Sequence, residues 1–242
     1  MNMSFYESIA EYYHHIFPLN KTQASFVQES FDETRQKDLL DIGCGIGELS
    51  SELSKSFKSV HAIDLDEAMI QKALSGNQTA NLHFQKLNML EIERTFGADA
   101  IDAIVCFGNT LVHLDGPEQL LDFFKQSKAT LKNDGKLLLQ IINYDRIIDQ
   151  NINALPTIEN DYIRFVRNYD LHQGQKMLDF HTILTIKKSG HIIENKIQLY
   201  PVRSSEIKHL LMQAGFINFE FYGNFKQEKF TKNSIPLVVN TN

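Results

Sequence analysis

The stretch Asp38-Leu-Leu-Asp-Ile-Gly-Cys-Gly-Ile-Gly-Glu48 decides how the rest of the chain is read. Residues 38–42 are short and mostly apolar, as a buried strand is. They run into three glycines at alternate positions, Gly43, Gly45 and Gly47. Glycine lets the backbone turn sharply and approach a ligand with no Cβ in the way. A helical stretch over 48–57 follows, so the loop opens a helix, where free backbone N–H groups attract ligands. Residues 59–63 read as a second strand, and Asp64 at its end can accept both hydroxyls of a ribose. Dinucleotide sites space their glycines as G-x-G-x-x-G. Here position 48 is Glu and the third glycine falls at 47. Asp41, just before the loop, suits a ligand with an ammonium group better than one with a pyrophosphate.

The same alternation continues outward. Helix is expected over 67–74 and 118–131, and strand over 82–86, 101–107 and 136–142. The fourth strand is nearly all apolar, as expected for burial on both faces. Lys132-Asn-Asp-Gly135 reads as a turn. Strands alternating with helices predict a parallel, doubly wound α/β sheet with ligands beyond the strand C-termini. Before it, Phe5, Ile9, Tyr12, Tyr13 and Ile16 recur at helical spacing up to Pro18, and a second helix is expected over 22–36. After it the pattern changes. Residues 162–169, 177–187 and 191–200 read as strands with no helix between them, around turns at Gln173-Gly-Gln and Ser189-Gly-His. They form an expected antiparallel insert. A helix over 204–214 and strands near 217–222 and 228–239 close the chain. The expected division is a helical cap (1–36), an α/β core (37–145), the insert (146–202) and a terminal part completing the core (203–242).

Composition bounds the function. The chain has 242 residues, 43% hydrophobic and 22% charged, which suits one large globular unit rather than a disordered segment. A net charge of −6 argues against a broad nucleic-acid surface. Two cysteines, Cys44 and Cys106, are too few for a disulfide framework or a cysteine zinc site and suit a reducing, cytoplasmic compartment. The start, Met-Asn-Met-Ser, carries no basic, then apolar leader, and no apolar run approaches the ~20 residues of a membrane span. Adjacent His14 and His15 point to different helix faces and make no metal pair, and no metal is expected.

Asp41, the G-x-G-x-G loop and Asp64 together resemble the class I S-adenosylmethionine-dependent methyltransferases. The resemblance implies a Rossmann-like fold with a mostly parallel seven-stranded sheet. Cys106-Phe-Gly-Asn109 with His113, followed by Asn143-Tyr-Asp145 and a Tyr-rich insert, resembles the glycine N-methyltransferase branch, which acts on small molecules. In that branch an arginine precedes Asn-Tyr-Asp and holds the substrate carboxylate. Here that position is Ile142, and an aliphatic chain cannot replace a bidentate cation, so glycine itself is disfavoured.

The resemblance implies S-adenosylmethionine as cofactor, with S-adenosylhomocysteine as product. Its binding residues would be Lys21, Asp41, Gly43, Cys44, Gly45, Gly47, Asp64, Leu65, Asn88, Met89, Phe107, Gly108 and His113. Asn109 and His113 would stand at the reaction mouth. Tyr13, Asn109, Tyr162, Arg167 and Arg203 would meet the acceptor, and Tyr6, Tyr12 and Tyr13 could form a lid. Tyr169 and Tyr200 are further acceptor-pocket candidates, Arg164 another possible carboxylate partner, and His172 and His181 read as turn and sheet residues. Both cysteines would lie near the cofactor as packing residues. The expected activity is methyl transfer to a nitrogen or oxygen of a small molecule. Alternatives are a nucleic-acid methyltransferase, a non-catalytic cofactor-binding module and, against the glycine spacing, an NAD-dependent oxidoreductase. A small-molecule acceptor is the expected partner, with no nucleic acid and no membrane, and the protein as monomer or dimer.

Overall fold

A computed structural model describes residues 4–76, 79–171 and 174–242. Two sheets organise it. The larger contains β1 (Asp38–Ile42), β2 (Ser59–Asp64), β3 (Leu82–Lys86), β4 (Ile101–Cys106), β5 (Leu131–Ile142), β10 (Phe219–Tyr222) and β11 (Pro236–Thr241) in the order β10-β11-β5-β4-β1-β2-β3. β11 is antiparallel to both its neighbours, and the other pairings are parallel. The sheet is therefore mostly parallel and seven-stranded, with the strand order reversing between β1 and β4. The smaller sheet runs β6 (Ala154–Glu159), β7 (Ile163–Asp170), β8 (Leu178–Ile186) and β9 (Ile192–Leu199), all antiparallel.

Helices cover both faces of the large sheet. On one face α7 (Pro117–Thr130) and α9 (Ser204–Gln213) bury Leu120, Phe123, Phe124, Ile207 and Leu211 against Leu40, Ile104 and Leu139, beside α6 (Ile92–Phe96). On the other, α3 (Lys21–Glu29) and α4 (Glu48–Ser54) bury Phe26, Val27 and Leu53 against Leu39, Val60 and Val105. Neighbouring strand residues such as Leu39 and Leu40 thus serve opposite layers, which is why these strands carry apolar residues without alternation. α5 (Glu67–Gly76) follows β2 and buries Met69 into a third cluster. That cluster joins Ile9, Ala10 and Ile16 to Ile163, Phe165, Leu184 and Ile186 on the inner face of the small sheet. The N-terminal residues are therefore clamped between the insert and the core, at the C-terminal end of the large sheet.

Three local expectations need correction. The first helix is α1 (Phe5–Ile9), a tighter turn over Ala10–Tyr12, and α2 (Tyr13–Ile16). Ile9 (φ −110°, ψ −1°) and Tyr12 (φ −103°, ψ 1°) leave regular helical geometry there. The second helix stops at Glu29, short of 36. Residues 132–135 belong to β5, where the pairing with β4 shifts register between Ile101 and Ala103. This irregularity absorbs the residues that read as a turn. Strand β6 was not expected, because Pro156 interrupts it. It survives as an edge strand with a register shift between Leu155 and Ile158, where a missing N–H costs no ladder bond. The short helix α8 (Tyr144–Asp149), capped by the Asn143 side chain, is a further addition. His172 and Gln173, and with them part of the expected 173–175 turn, lie outside the described residues, as does the start at 1–3.

Candidate active site

All three loop glycines hold left-handed backbone: Gly43 at φ +70°, Gly45 at +55° and Gly47 at +78°. The N–H groups of Gly43 and Cys44 both donate to the Ile63 carbonyl, at 2.8 and 3.0 Å, fastening the loop to the end of β2. Asp64 lies where that strand ends. Its Oδ2 accepts the Gly45 N–H at 2.9 Å and its Oδ1 accepts the Asp66 N–H at 2.9 Å. Each oxygen keeps lone-pair capacity in a fixed direction. Burial holds this carboxyl above the usual carboxylate range. Next to it Leu65 is 64% exposed, an apolar side chain open to a planar partner. Asn88 uses its Oδ1 on the Leu90 N–H at 3.0 Å, so its amide N–H groups remain to be used by a ligand, with half-buried Met89 beside it.

Asp41 sits below the loop, 3% exposed, and accepts the Ser50 hydroxyl at 2.6 Å. Burial pushes its pKa up to about 6; the Ser50 hydrogen bond opposes that shift and Asp64 adds to it. A buried carboxylate held by a single hydroxyl is a favourable place for a cation.

A cavity of about 440 Å³ opens from this point. Asp41, Gly43, Cys44, Glu48, Phe107 and Gly108 line its loop end. Tyr6, Asn109, His113, Leu155, Arg167, Tyr169 and Phe180 line the other. Tyr13 also lines it, with its ring over Gly45: a Cβ on Gly45 would stand 3.1 Å from three Tyr13 ring and hydroxyl atoms. Tyr6 Oη and His113 Nε2 are 2.8 Å apart. Burial lowers the His113 pKa to about 4 and raises that of Tyr6, so at neutral pH the hydrogen bond joins an uncharged phenol to an uncharged imidazole. Asn109, at φ +69°, donates from Nδ2 to Tyr144 Oη (3.1 Å) and accepts the Ile142 N–H (2.9 Å).

The His113 shift has a sign that can be measured. The unfolded chain takes up this proton near the ordinary histidine value and the folded chain only near 4, so acidification between these values favours unfolding. His113→Gln removes that penalty. Between pH 7 and pH 4.5 the variant is expected to lose less stability than the wild type, by about 2 kcal/mol or less. Urea denaturation at the two pH values reads the difference; parallel losses would contradict it.

The donor set fits S-adenosylmethionine: a two-oxygen acceptor for a diol, an exposed leucine and a free amide for an adenine, and a buried carboxylate for an ammonium group. Residues 39–135 match the family described as a methyltransferase domain. A protein of Geobacillus sp. (strain WCH70), provisionally named a methyltransferase, is 29% identical over 92% of this chain and 93% of its own. A glycine/sarcosine N-methyltransferase of Aphanothece halophytica is 24% identical over 86% of this chain and 77% of its own. The CcbJ methyltransferase of Streptomyces caelestis has the same fold, with a TM-score of 0.80, 18% identity, and 100% and 98% of the two chains covered. Family match, relatives and fold together support a class I S-adenosylmethionine-dependent methyltransferase.

The methyltransferase gathers some expected residues and disperses others. Asp41, Gly43, Cys44, Phe107, Gly108, Asn109, His113, Tyr13 and Arg167 share the cavity. Gly45, Gly47, Asp64, Leu65, Asn88 and Met89 lie along the loop and strand ends beside it. Lys21 does not reach the cavity: it is exposed at the first turn of α3, while Asn20 and Gln23 on either side of it line the cavity. Tyr162 is 61% exposed and stacks on His15 with ring centroids 4.2 Å apart, away from the cavity. Arg203 pairs with Asp145 and Asp149 on α8. Arg164 faces outward beside Glu159. Tyr200 donates to Glu206 at 2.7 Å. Tyr6 and Tyr13 line the cavity and Tyr12 does not. Both polar ends of Asn109 bond within the protein, so it braces the turn after β4. Cys106 is fully buried in the core behind the cavity that Cys44 lines, and burial raises both thiols.

Gln140 was missed. Its Oε1 accepts the Gly108 N–H at 2.9 Å and it lines the cavity. A lone polar residue in the apolar run 137–142 was the available signal. Phe5, Phe180 and Leu199 also line the cavity, and as apolar residues they carry no signal in the sequence that would single them out. No helix among the described residues is long and apolar enough to cross a membrane. No group of three or more metal-ligating side chains is found among them.

Proposed function

We propose that the methyltransferase acts on a nitrogen or oxygen of a small molecule held in the cavity beside the glycine loop. One observation carries this reading: the space next to the loop is a pocket of about 440 Å³ roofed by N-terminal residues and walled by the insert. Such a space takes a drug-sized body. A nucleic-acid acceptor would call for an open basic groove, and Arg167 is the only arginine or lysine among the lining residues.

In this reading Asp64 takes the ribose hydroxyls, Leu65, Asn88 and Met89 meet the adenine, and Asp41 attracts the amino group. Gly43, Gly45 and Gly47 permit close backbone approach. When bound, S-adenosylmethionine supplies a methyl group already activated on a sulfonium sulfur. The chain's own part is alignment and exclusion of water. Tyr6 and His113 hold each other at the acceptor end, and the neutral imidazole adds no repulsion toward a cationic cofactor. An aliphatic residue at Ile142, which lines the cavity, is unsuited to holding the carboxylate of glycine.

The test is transfer of labelled methyl from S-adenosylmethionine to small amines, phenols and hydroxy acids, run beside tRNA, DNA and protein acceptors. Label on small molecules is expected. Label on macromolecules alone would refute the proposal.

Asp41 adds a pH signature. With its pKa near 6, it releases its proton as pH rises through that value, and a bound ammonium group keeps it ionised. Affinity for S-adenosylmethionine is therefore expected to rise about tenfold per pH unit up to pH 6, then level off. Asp41→Asn should flatten most of this rise, leaving the smaller part due to Asp64. Calorimetry from pH 5 to 8 reads both curves.

A further inference from the structure

Strand β7 places one cation where the fold gives it no counter-charge. Its inward face carries Ile163, Phe165, Arg167 and Tyr169, and its outward face Arg164. Arg164 has Glu159. Arg167, between two buried aromatic rings, has no carboxylate partner among the described residues. Its Nη2 donates to the Pro156 carbonyl at 2.7 Å, a group available because β6 breaks register there. Its Nε is buried and unpartnered, and so is the hydroxyl of Thr182, the residue directly opposite on β8. Burial lowers the Arg167 pKa, the mark of a charge short of solvation.

The position is inside the cavity. Leu155, Tyr169, Phe180 and Leu199 line the same end, so an apolar body is well accommodated. The opposite end carries Asp41 and Glu48. Between them His113 is uncharged. The cavity is thus polarised, acidic at the loop and cationic at the insert. A half-buried guanidinium with one buried N–H unpartnered and no carboxylate beside it is matched by a planar oxyanion, which it binds through two parallel hydrogen bonds.

We propose that the methyl acceptor is an organic anion, a small molecule with an apolar body whose carboxylate is held by Arg167 and whose reacting atom faces Asn109 and His113. This rests on the small-molecule reading above and adds the substrate class. It replaces the clamp missing at Ile142 with one on a different element, across the cavity. The apolar lining beside Arg167, with Leu155, Tyr169, Phe180 and Leu199, suits a more apolar acid than glycine.

The experiment separates binding from transfer. The protein saturated with S-adenosylhomocysteine is titrated with benzoate and with benzamide by calorimetry. Benzoate is expected to bind at least about tenfold more tightly, in keeping with a charged bidentate contact. Arg167→Gln should abolish that preference and Arg167→Lys should keep part of it. The affinity for S-adenosylhomocysteine and the melting temperature should stay unchanged in both variants. Equal binding of acid and amide would overturn the proposal. So would loss of S-adenosylhomocysteine affinity in both variants, which would assign Arg167 to the cofactor. In the transfer arm, hydroxybenzoates and aromatic amino acids are compared with their carboxamides. The acids are expected to show the lower KM, and Arg167→Gln should raise it for acids alone. Benzoate binding that depends on Arg167, without transfer to any small molecule, would leave the anion site standing and refute the small-molecule transfer reading.

Discussion

Asp64→Ala is expected to weaken S-adenosylmethionine binding by at least about a hundredfold. The carboxylate is held by the Gly45 and Asp66 N–H groups, one on each oxygen, so its remaining lone pairs already point where a diol would meet them. Hydrogen bonds to a charged group contribute about 1.5–3 kcal/mol each, and losing two corresponds to about two to four powers of ten in affinity. The cost to folding should be small. The alanine leaves two N–H groups without their acceptor, but it also removes a carboxylate whose raised pKa records poor solvation. Calorimetry with S-adenosylhomocysteine, beside a melting curve, separates the two effects. A loss below tenfold with unchanged melting would remove Asp64 from the ribose site. Asp64→Asn keeps one acceptor oxygen and should fall between wild type and alanine.

Gly43→Ala should produce the largest stability loss of any single methyl addition in the loop. A Cβ there would stand 2.4 Å from both Cγ2 and Oγ1 of Thr110, with the backbone at φ +70°. Left-handed backbone costs a non-glycine residue about 1–2 kcal/mol, and forced overpacking about 1–3 kcal/mol more. The sum, about 2–5 kcal/mol, is a large share of the ~5–15 kcal/mol that holds a domain folded. Thr110 cannot move freely, because its hydroxyl donates to the Phe107 carbonyl at 2.8 Å. Displacing it disturbs the Phe107-Gly108-Asn109 turn at the cavity wall. Gly190→Ala is the control: φ is +71° but no atom lies within 4 Å, so only the backbone cost remains. In urea denaturation Gly43→Ala should lose at least twice as much as Gly190→Ala. Adding Thr110→Ala should recover the packing part and not the backbone part.

Legibility along the chain followed the range of the forces involved. β1, the glycine loop, α4 and Asp64 were readable because one stretch of chain contains the whole unit. Fully apolar strands announced burial on both faces, and β4 beside β1 followed from the doubly wound pattern. Pro156 hid β6, because the rule against proline in strands lapses at an edge with shifted register. Residues 132–135 have turn composition, yet pairing with β4 keeps them extended. The acceptor side was the least readable. Tyr162 and Arg203 have suitable chemistry, but one faces solvent and the other an ion pair of its own, as Lys21 on the cofactor side also faces solvent. Arg167 was readable only as one of several arginines until strand alternation turned it inward between Phe165 and Tyr169.

By itself, the sequence determined the fold class, the cofactor and the residues proposed for its adenosine end, since these depend on local backbone conformation and on apolar periodicity. The tertiary structure alone decided the rest. Phe5, Tyr6 and Tyr13 line one cavity with His113, Arg167 and Phe180 only because the N-terminal residues are clamped between the insert and the core. Those contacts join segments far apart in sequence, and no local propensity encodes them. The same packing strips water from Arg167 and His113, which turns an ordinary arginine into an uncompensated charge and an ordinary histidine into a neutral one. Burial is a property of the assembled fold, and here it sets the chemistry of the proposed acceptor site.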